Sequence, residues 1–155
     1  MKRILLALAL GFLLCGCVEI PPAADPAPPQ PKGVELTLYL PDENAISFVE
    51  TVVDVEEIGG DVIVEQLVAA GVLPEGTALL SISCSEDGTE LKLDFNEEFR
   101  TALCSTGTSG ERMICGSVVN TFLAAYGAQS VFFTAEGEII ESGHVVYDFN
   151  MTFFA

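Results

Sequence analysis

The side chains that could do chemistry in this sequence are few: five cysteines and a single histidine in 155 residues. Acid–base catalysis by histidine would have to run through His144, with Glu141, Ser142 and Asp148 close by in sequence, since a general base must lie within hydrogen-bond reach of the proton it takes. Alternation along a strand puts Asp148 on the face of His144 only if that strand already begins at His144, so an exposed histidine at a strand entrance is the simpler reading. The run "GTSGE" from Gly107 carries Glu111 where a nucleophile elbow of the form G-x-S-x-G needs glycine. It also lacks the lysine of a phosphate-binding loop. Cys84, Cys104 and Cys115 cannot all pair within one monomer, and their spacing is not that of two C-x-x-C zinc hooks. Cys84 falls on the inward face of a strand and reads as a small core residue. Cys104 and Cys115 bracket a loop and could form a disulfide, worth about 3 kcal/mol for a loop of that length. No residue is therefore assigned as catalytic, cofactor-binding or metal-binding.

The other two cysteines, Cys15 and Cys17, close an N-terminal leader. Lys2 and Arg3 precede an apolar run from Ile4 to Leu14. That run is well short of the roughly 20 apolar residues that span a bilayer, and charge, length and small terminal residues describe an export signal over residues 1–16. Small Gly16 permits cleavage before Cys17, whereas bulky Leu14 does not permit it before Cys15. Leu14-Cys15-Gly16-Cys17 resembles the lipobox of bacterial lipoproteins, which implies that Cys17 becomes an N-terminus bearing thioether-linked diacylglycerol. Two acyl chains matter, because one chain anchors only marginally. The expected location is the extracytoplasmic face of the cell membrane. Residues 17–33 then hold Cys17 and a linker with six prolines, from Pro21 to Pro31. In polyproline II form, at about 3.1 Å per residue, such a linker reaches up to about 50 Å.

Residues 34–155 are enough for one domain with a real core. They hold three basic residues, Lys92, Arg100 and Arg112, against 21 acidic ones, a net charge of −18. Phosphate backbones would be repelled, which excludes nucleic acid as a partner. "PDENA" and "SEDGTE" do not have calcium-loop spacing.

The elements that must position these residues follow from periodicity. "VELTLYL" alternates Leu36, Leu38 and Leu40 against polar neighbours, and "FVETVVDV" is strand-like with Val49, Val53 and Val55 on one side. Ile63, Leu67, Val64 and Val68 form i,i+4 pairs of a helix that Asp61 can start and Gly71 end. Leu80, Ile82 and Cys84 alternate on one strand and Leu91, Leu93 and Phe95 on the next, with Asp87-Gly88 as the hairpin turn. Asn96 can cap a short helix, and Thr108 with Glu111 has capping-box spacing at the start of a longer one carrying Ile114, Val118, Phe122 and Ala125. "SVFFT" is a strand, "AEGE" a turn, and "HVVYDFNMTF" a last strand placing Val145, Tyr147, Phe149, Met151 and Phe153 together. This order predicts an α+β domain of two layers, a mixed β-sheet with helices packed on one face.

Three stretches carry a resemblance: "LTLYLPDENA", "LPEGTALLSISCSEDGTELKLDFNEEFRTAL" and "GSVVNTFLAAYGAQSVFFTAEGEII". In order and spacing they resemble the GerMN domain of spore-formation and germination proteins. The matching features are Tyr39 and Pro41, Pro74, Gly76 and Thr77, Asp87 and Gly88, Asp94 and Phe95, and Val118 to Phe133 with Gly137. The resemblance spans nearly all of Val34 to Gly143 and implies a fold like the ring-building modules of multiprotein channels, in an exported lipoprotein. It also implies an assembly role in the cell envelope, not an enzymatic one. The expected function is a lipid-anchored, non-catalytic interaction domain without cofactor, whose partners are membrane lipid through Cys17 and an envelope protein or a second copy. The rival readings are a wall-processing enzyme acting through His144 and a cation-responsive binding module.

Overall fold

The computed structural model describes residues 33–155, so the signal segment, Cys17 and the linker lie outside the described residues. The elements run β1 (Val34–Pro41), β2 (Phe48–Val55), α1 (Gly60–Ala69), β3 (Leu79–Cys84), β4 (Glu90–Phe95), α2 (Glu97–Ser105), α3 (Thr108–Tyr126) and β5 (Ser130–Ala135). The class is α+β, and its strands divide between two sheets. β1 and β2 form an antiparallel pair, while β3, β4 and β5 form a mixed sheet in that order, antiparallel at β3–β4 and parallel at β4–β5.

Alternation decides what the mixed sheet buries. Leu91, Leu93 and Phe95 of β4 and Val131, Phe133 and Ala135 of β5 all point into the core, and Lys92 on β4 points out. Phe95 stacks on Phe99 of α2 with centroids 4.1 Å apart, and Phe99 meets Phe133 edge-on at 5.3 Å. Each such buried ring is worth roughly 1.5–3 kcal/mol. α1 turns Ile63, Val64 and Leu67 into the same core. It starts at Gly59 with no side-chain cap, so Asp61 does not cap it, and Gly71 beyond its end takes a left-handed φ of 75°. Asn96 precedes α2 but does not cap it through its side chain either. Its amide instead accepts the Ala78 N–H at 3.0 Å and donates to the Gly76 carbonyl at 2.8 Å, tying the loop before β3 to the start of α2.

α3 is the axis of the domain, with every residue from Met113 to Leu123 buried. It packs on β1, β5, α1 and α2, which explains why its apolar residues are not confined to one stripe. Phe48 at the start of β2 lies against Gly116, where an added Cβ would fall 2.1 Å from the ring.

Three sequence expectations are corrected. Leu80 is exposed, because a bulge between Leu79 and Ser81 shifts the phase of β3 and turns Leu79 and Ile82 toward Gly60; Cys84, in phase with Ile82 and opposite Leu91, is exposed at the end of this outer strand of the sheet and is no core residue. Glu111 is not a capping-box residue: Gly107 is the cap position, and the Glu111 side chain is buried. The last strand does not form. Its segment makes isolated bridges at Val131–Met151 and Glu141–Val146, and buries Tyr147 and Met151 while leaving Phe149 and Phe153 about half exposed.

Candidate functional site

The C-terminal segment runs irregularly over α3, and α3 meets it with polar side chains. Asn120, fully buried, donates from Nδ2 to the Phe154 carbonyl at 2.9 Å and accepts the Phe154 N–H on Oδ1 at 2.8 Å. Arg112 reaches from the first turns of α3 to two separate segments. One guanidinium nitrogen donates to the Ile46 carbonyl at 3.0 Å and another to the Ala155 carbonyl at 2.6 Å, while the guanidinium sits 5.6 Å from the Phe48 ring centroid. Thr121 Oγ1 accepts the Tyr39 N–H of β1 at 3.1 Å. A polar group left unpaired inside would cost about 1–3 kcal/mol, so these side chains let an irregular tail and a strand edge lie against a helix.

The ionisable groups converge one turn away. Cys115 donates its thiol hydrogen to the Tyr147 hydroxyl at 3.1 Å, and that hydroxyl donates to Glu111 Oε1 at 2.6 Å. All three residues are at most 5% exposed. Burial pushes the Cys115 thiol up to about 12, with Glu111 nearby adding to it and the Tyr147 bond opposing it. Burial likewise raises the Tyr147 hydroxyl above its ordinary 10, reinforced by Cys115 and Glu111. The thiolate is the reactive form of cysteine, so at neutral pH this thiol is a hydrogen-bond donor and not a nucleophile. Glu111, Cys115 and Tyr147 line a cavity of about 170 Å³ together with Val145, Phe149 and Phe154. Glu111 Oε2 is buried without a partner among the described residues.

The residues singled out in the sequence are not brought together. Cys84 and Cys104 are exposed free thiols and Cys115 is a buried free thiol. The Cys104–Cys115 disulfide is absent because the helical phase of α3 turns Cys115 to Tyr147, while the Cys104 sulfur lies 3.5 Å from the Glu141 carbonyl. His144 and Asp148 are exposed, and the His144 N–H lies 3.3 Å from Ser142 Oγ. Among the described residues no three His, Cys, Asp or Glu side chains are grouped to hold a metal ion, and no helix is long and apolar enough to cross a membrane. Sequence reasoning missed Asn120, Arg112 and the Glu111–Tyr147 bond. The available signal was the run Ser117, Asn120 and Thr121 inside an otherwise apolar helix.

At the far end of β4, Asp94 Oδ1 accepts both the Thr134 hydroxyl at 2.6 Å and the Gly137 N–H at 2.8 Å. It thereby fixes the turn in which Glu136 and Gly137 take φ values of 53° and 77°. Asp87 does the same for the β3–β4 turn, and bonds from Ser85 and Thr89 lower its carboxyl to about 2. The family model described as sporulation and spore germination, Germane, matches residues 37–141 and so takes in both turns and α3.

The chain belongs to the Germane family.

The fold agrees with it. The tandem GerMN domains of the sporulation protein GerM from Bacillus subtilis superpose with a TM-score of 0.59 at 19% identity, over 77% of this chain and 46% of that one. The chain thus spans about half the length of that structure. The first GerMN domain of the same protein gives a TM-score of 0.49 at 21% identity, over 68% of this chain and 84% of that one. No curated protein matches the chain at a significant level.

Proposed function

We propose that this Germane-family protein is a lipid-anchored, extracytoplasmic interaction domain of the cell envelope, without catalytic activity of its own, acting in spore formation or germination. The observation that carries the reading is the environment of its ionisable core groups: Cys115 is bonded to Tyr147 and Tyr147 to Glu111 Oε1, all three are buried, and burial holds the thiol protonated. Catalysis needs a base or nucleophile within reach of a substrate, and His144 stands exposed on the surface instead. Membership in the family and the lipobox-like Leu14 to Cys17 support the envelope location.

The test has two arms in the producing cell. Cys17→Ala should move the protein from the membrane fraction to soluble or uncleaved forms, and mass spectrometry of the wild type should find acylated Cys17 at the N-terminus. Photocrosslinkers placed across the domain surface should capture a partner, while His144→Ala keeps the wild-type phenotype. Loss of phenotype in His144→Ala with the fold intact and no crosslink from any position favours the wall-processing enzyme instead.

A further inference from the structure

β2 is an edge strand, and its hydrogen-bonding phase can be fixed from three observations. Asp42 and Ser47 are a bonded pair through Asp42 N–H to the Ser47 carbonyl at 2.9 Å. The next pair, Pro41 with Phe48, has no N–H to give on the β1 side. Two residues further, Tyr39, opposite Glu50, sends its N–H away from β2 to Thr121. Bonded and non-bonded pairs alternate in an antiparallel ladder, so Phe48, Glu50, Val52 and Asp54 all direct their own N–H and C=O groups outward from the hairpin. Among the described residues, none of these eight groups has a hydrogen-bond partner and no strand lies beyond β2. β1, by contrast, is covered along its outer edge by α3.

Resting on the reading of this chain as an interaction domain, we propose that the β2 edge is its docking site and that its occupant is an extended, basic segment of a partner protein, added as a third strand. Such strand addition takes affinity from main-chain bonds and specificity from alternate side chains. Here the side chains beside the edge are Glu50, Val52 and Asp54, all exposed, with Val52 58% so. A matching strand carries Lys or Arg opposite Glu50 and Asp54 and an apolar residue opposite Val52, the alternating pattern basic, any, apolar, any, basic. A second copy of this chain is the poorer occupant. The symmetric antiparallel register that sets Val52 against its copy sets Glu50 against Asp54 twice, and like charges directly opposite one another destabilise a strand pair. The domain's net charge of −18 adds long-range repulsion between copies and attraction to a basic partner.

The full-length protein in detergent micelles tests this with a fluorescein-labelled nonapeptide of alternating Lys and Thr with Val at its centre. Controls are the same peptide with Glu for Lys and a version with two central prolines. Anisotropy should show binding of the basic peptide alone. Val52→Pro removes one outward N–H without touching the hairpin's own bonds and should weaken binding at least tenfold. Glu50→Lys with Asp54→Lys, both at exposed positions, should abolish binding of the basic peptide and gain the acidic one. Equal binding by the proline-containing peptide, or unchanged binding by folded Val52→Pro, means charge attraction without strand addition and overturns the proposal. In cells, a photocrosslinker at Val52 should capture a protein other than this chain, and capture of a second copy there overturns the basic occupant. Crosslinks from Leu80 or Phe149 but none from Val52 reject the edge while leaving the interaction reading intact. No crosslink from any of the three rejects both.

Discussion

The side-chain amide of Asn120 holds both backbone groups of Phe154, donating to the carbonyl at 2.9 Å and accepting the N–H at 2.8 Å. It thus imitates one rung of a β-ladder, with a helix side chain standing for the second strand. Neither water nor another side chain is needed to satisfy that stretch of tail, and Asn120 itself is fully buried. Asn120→Ala leaves the two part-buried backbone groups of Phe154 without this partner, a loss of about 1–3 kcal/mol. Urea unfolding should show that loss, and hydrogen exchange should show faster exchange at the Phe154 amide. Wild-type protection of that amide in the variant would mean the tail is held by something else.

The tail before Phe154 alternates like a strand without being one. The alternation of Val145, Tyr147, Phe149, Met151 and Phe153 is a strand pattern, and Tyr147 and Met151 are indeed buried. A strand also needs a continuous partner edge, and here the backbone bonds scatter: Val146 bridges to Glu141, the Tyr147 N–H goes to the Ile140 carbonyl, Met151 bridges to Val131, and past the alternating run Phe154 and Ala155 go to Asn120 and Arg112 of α3. Periodicity reports which side chains go inside and says nothing about where N–H and C=O groups find partners. The β4 hairpin strand, the helices and the turns at Asp87-Gly88 and Gly137 were legible because their signals are local. Glu111 was not, since its partner Tyr147 is 36 residues away. The bulge in β3 was not, since Leu79, Leu80 and Ile82 offer two equally apolar phases and only packing against α1 selects one.

Gly116 is where the hairpin meets α3. A Cβ there would lie 2.1 Å from Phe48 Cζ, far inside contact distance, so Gly116→Ala must displace the ring and with it the cation–π contact from Arg112. The expected cost is about 1–3 kcal/mol, the usual range for overpacking. In a Phe48→Ala background the same change should cost much less, because the clashing atoms are gone. Additive costs in the double-mutant cycle would contradict the contact.

Net charge makes a prediction about salt. With 21 carboxylates and three basic residues in residues 34–155, self-repulsion should destabilise the fold at low ionic strength. Screening over about 10 Å at 0.1 M then raises the melting temperature as sodium chloride is added. At equal ionic strength calcium chloride should do no more than sodium chloride. A large extra shift with calcium would point to a bound ion and to the cation-responsive reading.

The last prediction concerns alkaline pH. Burial raises the folded Cys115 thiol from the ordinary 9.0 to about 12, so the unfolded chain gives up this proton first. Between those two values the folded state binds more protons than the unfolded one, and stability must fall as pH rises through that window. The raised Tyr147 hydroxyl acts in the same direction from about pH 10 upward. Unfolding free energy should therefore be insensitive to these groups below about pH 9 and decline steadily above it. Cys115→Ala should flatten the decline by the equivalent of one proton, even if the cavity it leaves lowers stability at every pH. Thiol labelling gives an independent reading of the same burial: at pH 8 the exposed Cys84 and Cys104 should react with iodoacetamide while Cys115 reacts only on unfolding. Three thiols alkylated at one rate in the native protein would show that Cys115 is not held inside the hydrogen-bonded chain to Tyr147 and Glu111.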